Sequence, residues 1–308
     1  MLRDLVFSLG GRGGKRDSCK REGNYMVGLV AKSALMCVAL VGLVSVKGAR
    51  ITYESLARVR PFVHNAFVGH SSHGHDWQLW PKPTPFGYLK SADEGSVLSL
   101  EDMTVFESVS RYATEHGLER KTMGDSIQLL AEFFLGLPYQ GHQLDQNDRE
   151  VLSVNLQTFD CVIFVETMLA LARNFAVHDY SVPNFLENMQ AQRYRNGDID
   201  GYCSRLHYFS DWIRENEHQG RVSNITADLG GIAVQKQLDF MTSHREAYPQ
   251  LVDNDENFRC IAEMEAALSP VELTYIPTAE ISGIYSELQA GDIVAIATSV
   301  PGLDVSHT

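Results

Sequence analysis

Basic residues are scarce in this sequence. Its 308 residues carry 26 lysines and arginines against 39 aspartates and glutamates, a formal net charge of −13. That balance excludes a nucleic-acid-binding surface, whose footprint would be a basic stripe. No apolar run is comfortably long enough to span a bilayer. The run from Ser33 to Val46 falls short of the roughly 20 residues that a spanning helix needs. No internal repeat is evident, which sets repeat architectures aside. Metal-ligand patterns are lacking too. His70, His73 and His75 cluster without matching Cys or acidic spacing, so neither a metal nor another cofactor is expected.

What is present fits a globular protein. Hydrophobic residues make up 44% of the chain, enough for one sizeable domain with extensions. The Ser33–Val46 run, with Lys32 before it and Lys47 and Arg50 after it, has the length and flanks of a secretory h-region. Residues 1–49 are therefore expected to be a leader, with a signal peptide or an uncleaved anchor, and the protein to be exported to the periplasm or cell envelope. A membrane is expected as a partner only through that segment, if it stays uncleaved. Met26 is an alternative start, and lipidation at Cys37 is disfavoured by the bulky Met36 before it. Residues 50–98, rich in Pro, Gly, Ser and His and without sustained periodicity, read as a spacer. The globular domain is expected over 99–308.

Without Cys19 and Cys37 of the leader, Cys161, Cys203 and Cys260 remain. The number is odd, so at least one thiol stays free or pairs with another molecule. Pairing of Cys203 with Cys260 is one arrangement, and it would leave Cys161 over. Cys161 stands in "NLQTFDCVIFVETMLALARNF", a segment that reads as a helix buried on most of its circumference. Asp160 is a good N-cap, which places Cys161 at the positive end of that helix. A thiol there is either core filler or a nucleophile.

Ser99 and Gly117 bound a first amphipathic helix, and "TMGDSIQLLAEFFLGLPY" a second that ends toward Gly136 and Pro138. A third amphipathic segment, "VPNFLENMQAQRYRNG", follows the Cys161 helix. "RLHYFSDWI" reads as a strand or a site wall, and more helix is expected around "SHREAYPQLVDNDENFRCIAEMEAAL". "PVELTYIP" and "SGIYSELQAGDIVAIAT" read as β-rich, and His307 falls where a further strand would begin. Helices first and strands last indicate an α+β domain with helices packed on an antiparallel sheet.

In order along the chain, "FFLGLPYQG", "FDCVIFVE" and "LQAGDIV" leading to "SHT" resemble the signatures of NlpC-type cell-wall cysteine peptidases. More narrowly, "NLQTFDCVIFVETMLALAR", "RLHYFSDWI" and "VPGLDVSHT" are similar to the N-acetylmuramoyl-L-alanine amidase-like branch, from about Thr122 to the end. The resemblance implies a papain-like fold, Cys161 as nucleophile and His307 as base, and a peptidoglycan or muropeptide substrate. It also favours Arg205, His207, Tyr208, Asp211 and Trp212 as a sugar-and-peptide groove. The bland alternative has Tyr208 and Trp212 packing in the core and Arg205 pairing with Asp211. Arg193 and Arg195 could meet stem-peptide carboxylates or simply end a helix. In the family a polar residue downstream of the histidine orients it. Here the chain stops at Thr308, so that residue and at least one strand are expected beyond it, the edge of the 292–298 strand is expected to lack a partner, and the 308-residue chain to be a truncated product, poorly soluble or inactive. Two rivals stay open: a stem-peptide endopeptidase of the same superfamily and a non-catalytic wall-binding module. The oligomeric state is not legible.

Overall fold

The computed structural model describes residues 98–308, together with the backbone of 53–61. The leader, with Cys19, Cys37 and the Ser33–Val46 run, lies outside the described residues, as does the His70, His73, His75 cluster.

The first helix, α1 (Leu100–His116), begins with a reciprocal cap. Ser99 accepts from the Asp102 amide while the Asp102 carboxylate accepts from the Ser99 amide, and the helix stops where Gly117 turns left-handed at φ 62°. The same carboxylate reaches across the fold to accept from the Leu156 amide at 2.9 Å. Burial works to raise its pKa, but these hydrogen bonds outweigh that and hold it below the ordinary value. Thr122 caps α2 (Met123–Phe133), and Asp160 caps α3 (Cys161–Ala176). Ser181 caps α4 (Val182–Arg193), with Pro183 in its first turn. The main core is gathered around α3, whose Leu169, Ala170, Leu171 and Phe175 are buried against Phe106 and Val109 of α1, Leu130 of α2 and Phe185 and Met189 of α4.

Of the two readings of "RLHYFSDWI", a strand or a site wall, the strand does not form. After a bend the segment becomes α5 (Phe209–His218). Phe209, Trp212, Ile213 and Asn216 recur at helical spacing and are buried, so the aromatic density reflects a helix face rather than a strand. A second, smaller core involves two short helices, α6 (Phe240–Ser243) and α7 (Pro249–Val252), and the longer α8 (Asp255–Leu268). A disulfide between Cys203 and Cys260 ties α8 to the loop before α5, and Cys161 is the free cysteine among the described residues.

Six strands form one antiparallel sheet. They are β1 (Tyr53–Pro61), β2 (Val222–Asn224), β3 (Ile232–Gln235), β4 (Glu272–Pro277), β5 (Ile293–Thr298) and β6 (Val305–His307), in the order β3-β4-β1-β5-β6, with β2 beside the far end of β1. Three expectations change here. Nine residues of the stretch read as a spacer form β1; the surrounding Pro, Gly, Ser and His hide a single short strand whose partners are distant in sequence. The edges of β5 are also paired, by β1 on one side and by β6 on the other, where Ile296 faces His307. Between β4 and β5, residues Ile281–Glu287 wind into a 3-10 helix rather than a strand. The turn before β5 passes very close to α2. A Cβ on Gly124 would lie 2.2 Å from the Ala290 carbonyl, and one on Gly291, at φ 79°, 2.4 Å from the Gly124 Cα. The glycine of the "AGD" signature is thus required by close backbone approach. No helix among the described residues is long and apolar enough to cross a membrane.

Candidate active site

Cys161 is the first residue of α3, and the local sequence fixes it there. Asp160 accepts from the Ile163 amide at 2.8 Å with its side chain, and its carbonyl takes the Phe164 amide at 3.0 Å. The Cys161 amide is left pointing out of the helix start. The preceding strand-like segment is pinned from the first signature: Phe159 donates to the Pro138 carbonyl at 3.3 Å and accepts from the Gln140 amide at 2.9 Å, so "LPYQ" and "FDC" lie side by side.

His307 reaches Cys161 from the last strand. The thiol is half-buried, and burial by itself would raise its pKa. The hydrogen bond and charge of His307, with a further hydrogen bond from the Thr308 amide, reverse that and hold it below the ordinary thiol value, against a smaller opposing effect of the Asp160 charge. The Asp160 carboxyl is itself pushed up, chiefly by burial, with the Ile163 amide and the Arg193 charge pulling the other way.

The strand that delivers His307 is anchored by a residue the sequence did not single out. Asp304 is 3% exposed and accepts from the Ser210 amide at 2.7 Å, in the first turn of α5, which lacks a cap of its own side chain. It also accepts from the Val305 amide at 2.7 Å. Burial raises its pKa while these donors lower it. "VPGLDVSHT" and "YFSDW" therefore meet, through a carboxylate at a helix N-terminus. That residue type in a turn before a strand was the available signal.

The other anticipated groove residues are placed inside the protein. Arg205, Tyr208, Asp211 and Trp212 are 5%, 1%, 0% and 1% exposed. Arg205 pairs with Asp145 at 2.5 Å, donates to the Leu144 carbonyl at 2.9 Å and lies over the Tyr202 ring, so it does not pair with Asp211. Asp211 instead meets Arg195 and, at 3.0 Å, Arg214. The Tyr208 hydroxyl donates to Glu265 at 2.6 Å, and its pKa is raised, first by burial and then by that carboxylate. Trp212 stacks on Phe209 with ring centroids 5.0 Å apart. His207 is half-buried against Tyr202, its Nε2 2.8 Å from the Tyr202 carbonyl. Burial and then the Arg205 charge hold its pKa down to about 3, so the ring is neutral. Arg205, Tyr208, Asp211 and Trp212 therefore leave little surface for a ligand to touch, while His207 is half-buried.

Arg193 likewise does not face solvent. It is 1% exposed, donates to Glu166 of α3 at 2.7 Å and to the Ser153 carbonyl at 2.5 Å, and so locks α4 and the 150–155 loop onto the Cys161 helix. Among the described residues no group of side chains is arranged to hold a metal ion.

Residues 129–308 match the family model AmiA-like, N-acetylmuramoyl-L-alanine amidase-like. The chain belongs to this amidase-like family. Solved structures agree. The chain is similar to an N-acetylmuramoyl-L-alanine amidase from Bacteroides uniformis ATCC 8492, solved at 1.07 Å, at 34% identity with a TM-score of 0.57, over 60% of this chain and 78% of that one. A 1.30 Å structure described in the same words aligns at 37% identity and a TM-score of 0.53, over 56% and 73%. No curated protein sequence matches the chain. Family membership makes a hydrolase acting on peptidoglycan the general reading, and the amidase-like segment includes both Cys161 and His307.

Proposed function

We propose that the chain is a cysteine amidase of the NlpC-type, papain-like superfamily, exported to the cell envelope, that hydrolyses the lactyl-to-L-alanine amide of muropeptides. One observation carries the reading: the thiol at the start of a buried helix is hydrogen-bonded to the imidazole of the last strand, and its pKa is lowered. A helix terminus and an adjacent imidazole are the two influences that favour thiolate.

In this reading the Cys161 thiolate attacks the amide carbonyl, forming an S–C bond and a tetrahedral oxyanion. The Cys161 amide, at the helix start, serves as an oxyanion donor. The C–N bond then breaks as His307 passes its proton to the leaving amine of L-alanine, leaving a thioester. His307 next takes a proton from water. The resulting hydroxide displaces the thiolate, and the lactyl carboxylate is released. Asp304 holds β6, and with it His307, through α5; it is a positioning residue for this step.

The test is digestion of a defined disaccharide-tetrapeptide with products identified by mass spectrometry. Release of a free stem peptide beginning with L-alanine supports the amidase. Cleavage after D-glutamate would make the protein an endopeptidase with the same chemistry, and no product at all, with the Cys161 thiol alkylating like an ordinary buried cysteine, would leave only a wall-binding module.

A further inference from the structure

A cavity of about 410 Å³ lies between α5 and the sheet. Ser210, Ile213, Arg214 and Glu217 line it from α5, at the three- and four-residue spacing that puts side chains on one helix face. The sheet contributes two cross-strand pairs, Val234 with Leu273 from β3 and β4, and Ala297 with Val305 from β5 and β6. Together with Ile213 these give the cavity an aliphatic body. Neither Cys161 nor His307 is among the described residues that line it.

Charges of both signs complete the wall. Arg214 and Lys236 are cations, Glu217 and Glu272 anions. Lys236 follows directly on Gln235, the partner of Glu272 in the β3 to β4 ladder, so one charge of each sign stands at the same end of that hairpin. Several of these groups are held in place. Arg214 donates to Asp211 at 3.0 Å, Lys236 donates to the Thr298 carbonyl, and Glu217 accepts from the Asn224 amide at 2.7 Å. A guanidinium, an ammonium and a carboxylate each have more hydrogen-bonding sites than one such contact uses. Asp304 also borders the cavity, but it is buried and taken up by the Ser210 and Val305 amides.

This wall excludes most classes of ligand. A multiply charged anion would face three carboxylates, Glu217, Glu272 and Asp304, against two cations. A metal ion would face Arg214 and Lys236, and among the described residues no group of side chains is arranged to hold one. A neutral sugar would set its hydroxyls against Ile213, Val234 and Leu273, and a hydrocarbon would strip water from the charged groups without replacing it. We infer that the cavity is a binding site for a small zwitterion with an aliphatic side chain, in its simplest form a free amino acid. The ligand carboxylate meets Lys236, its ammonium meets Glu272, and its side chain lies on the aliphatic body. The volume falls in the range of about 300–1,000 Å³ usual for small-molecule sites. Because Ser210, Asp304 and Val305 also carry His307 on its strand, an occupant adjoins the support of the proposed base.

The test is titration of the 308-residue chain, followed by amide NMR signals and by the thermal midpoint. The probes share one branched carbon skeleton: leucine in each enantiomer, isocaproate, which lacks the ammonium, and isoamylamine, which lacks the carboxylate. One enantiomer of leucine should bind at least about tenfold more tightly than either analogue, raise the midpoint and move the signals of Ile213, Val234 and Val305. Lys236→Met should erase the advantage over isoamylamine, and Glu272→Gln the advantage over isocaproate. If Lys236→Met unfolds, Glu272→Gln carries the comparison, because that side chain is exposed. Equal binding of the three compounds, no binding of either leucine, advantages unchanged in the variants, or shifts confined to residues around Cys161 would each overturn the site. No turnover enters the measurement, so its outcome is independent of the amidase reading.

Discussion

The start of α3, from Asp160 to Glu166, and the segment from Arg205 to Ile213 look alike in sequence, each mixing charged residues with large apolar ones, but the fold treats their polar groups differently. At the first, Cys161 is half-buried and its amide points outward. At the second, guanidinium, carboxylate and phenol are turned inward and engaged, and the indole is buried against the Phe209 ring. A residue type that can recognise a substrate does so only where its polar atoms are left unspent. Buried, the same groups must satisfy one another, and they then hold the site together instead of forming its wall.

The sharpest break between the two regions is Cys161→Ala. It should lower muropeptide hydrolysis by on the order of 10⁴ to 10⁶-fold, yet leave the urea midpoint near that of the parent. A parent-like rate would remove Cys161 as nucleophile.

In the second region stability should fall first. Trp212→Ala should cost about 3–5 kcal/mol by emptying a buried aromatic site, with activity lost in step with folded fraction. Arg193→Met should cost a similar 3–5 kcal/mol, because Glu166 is left as an uncompensated buried carboxylate, and adding Glu166→Leu should restore much of it. Urea unfolding with activity assayed on the folded fraction decides between support and recognition. Activity lost at full stability would return Trp212 to the groove.

A smaller effect is expected at the disulfide. Cys203→Ser with Cys260→Ser should cost about 2–4 kcal/mol and leave turnover by folded protein unchanged, read by thermal unfolding with and without reductant. The smallest is a shift in a profile. Because the Cys161 pKa is lowered, its alkylation by iodoacetamide should rise with pH through an inflection below that of an ordinary thiol. His307→Ala removes the hydrogen bond and charge that oppose burial, so the inflection should move upward. An unmoved inflection would show that His307 does not act on the thiol.

By itself the sequence determined what depends on near neighbours. Ser99 and Asp160 were legible as helix caps, Gly117 as a stop, and the helical period marked the buried α3, because each of these interactions closes within one turn of chain. The order of signatures carried Cys161 and His307 by resemblance. What only the tertiary structure decided involves partners far apart in sequence. β1 is a strand because β5 and β4 pair with it; Asp304 caps a helix 94 residues earlier; Arg205 chooses Asp145 over the nearer Asp211. Burial is a property of the packed whole, and it is burial that separates a side chain which binds from one which supports.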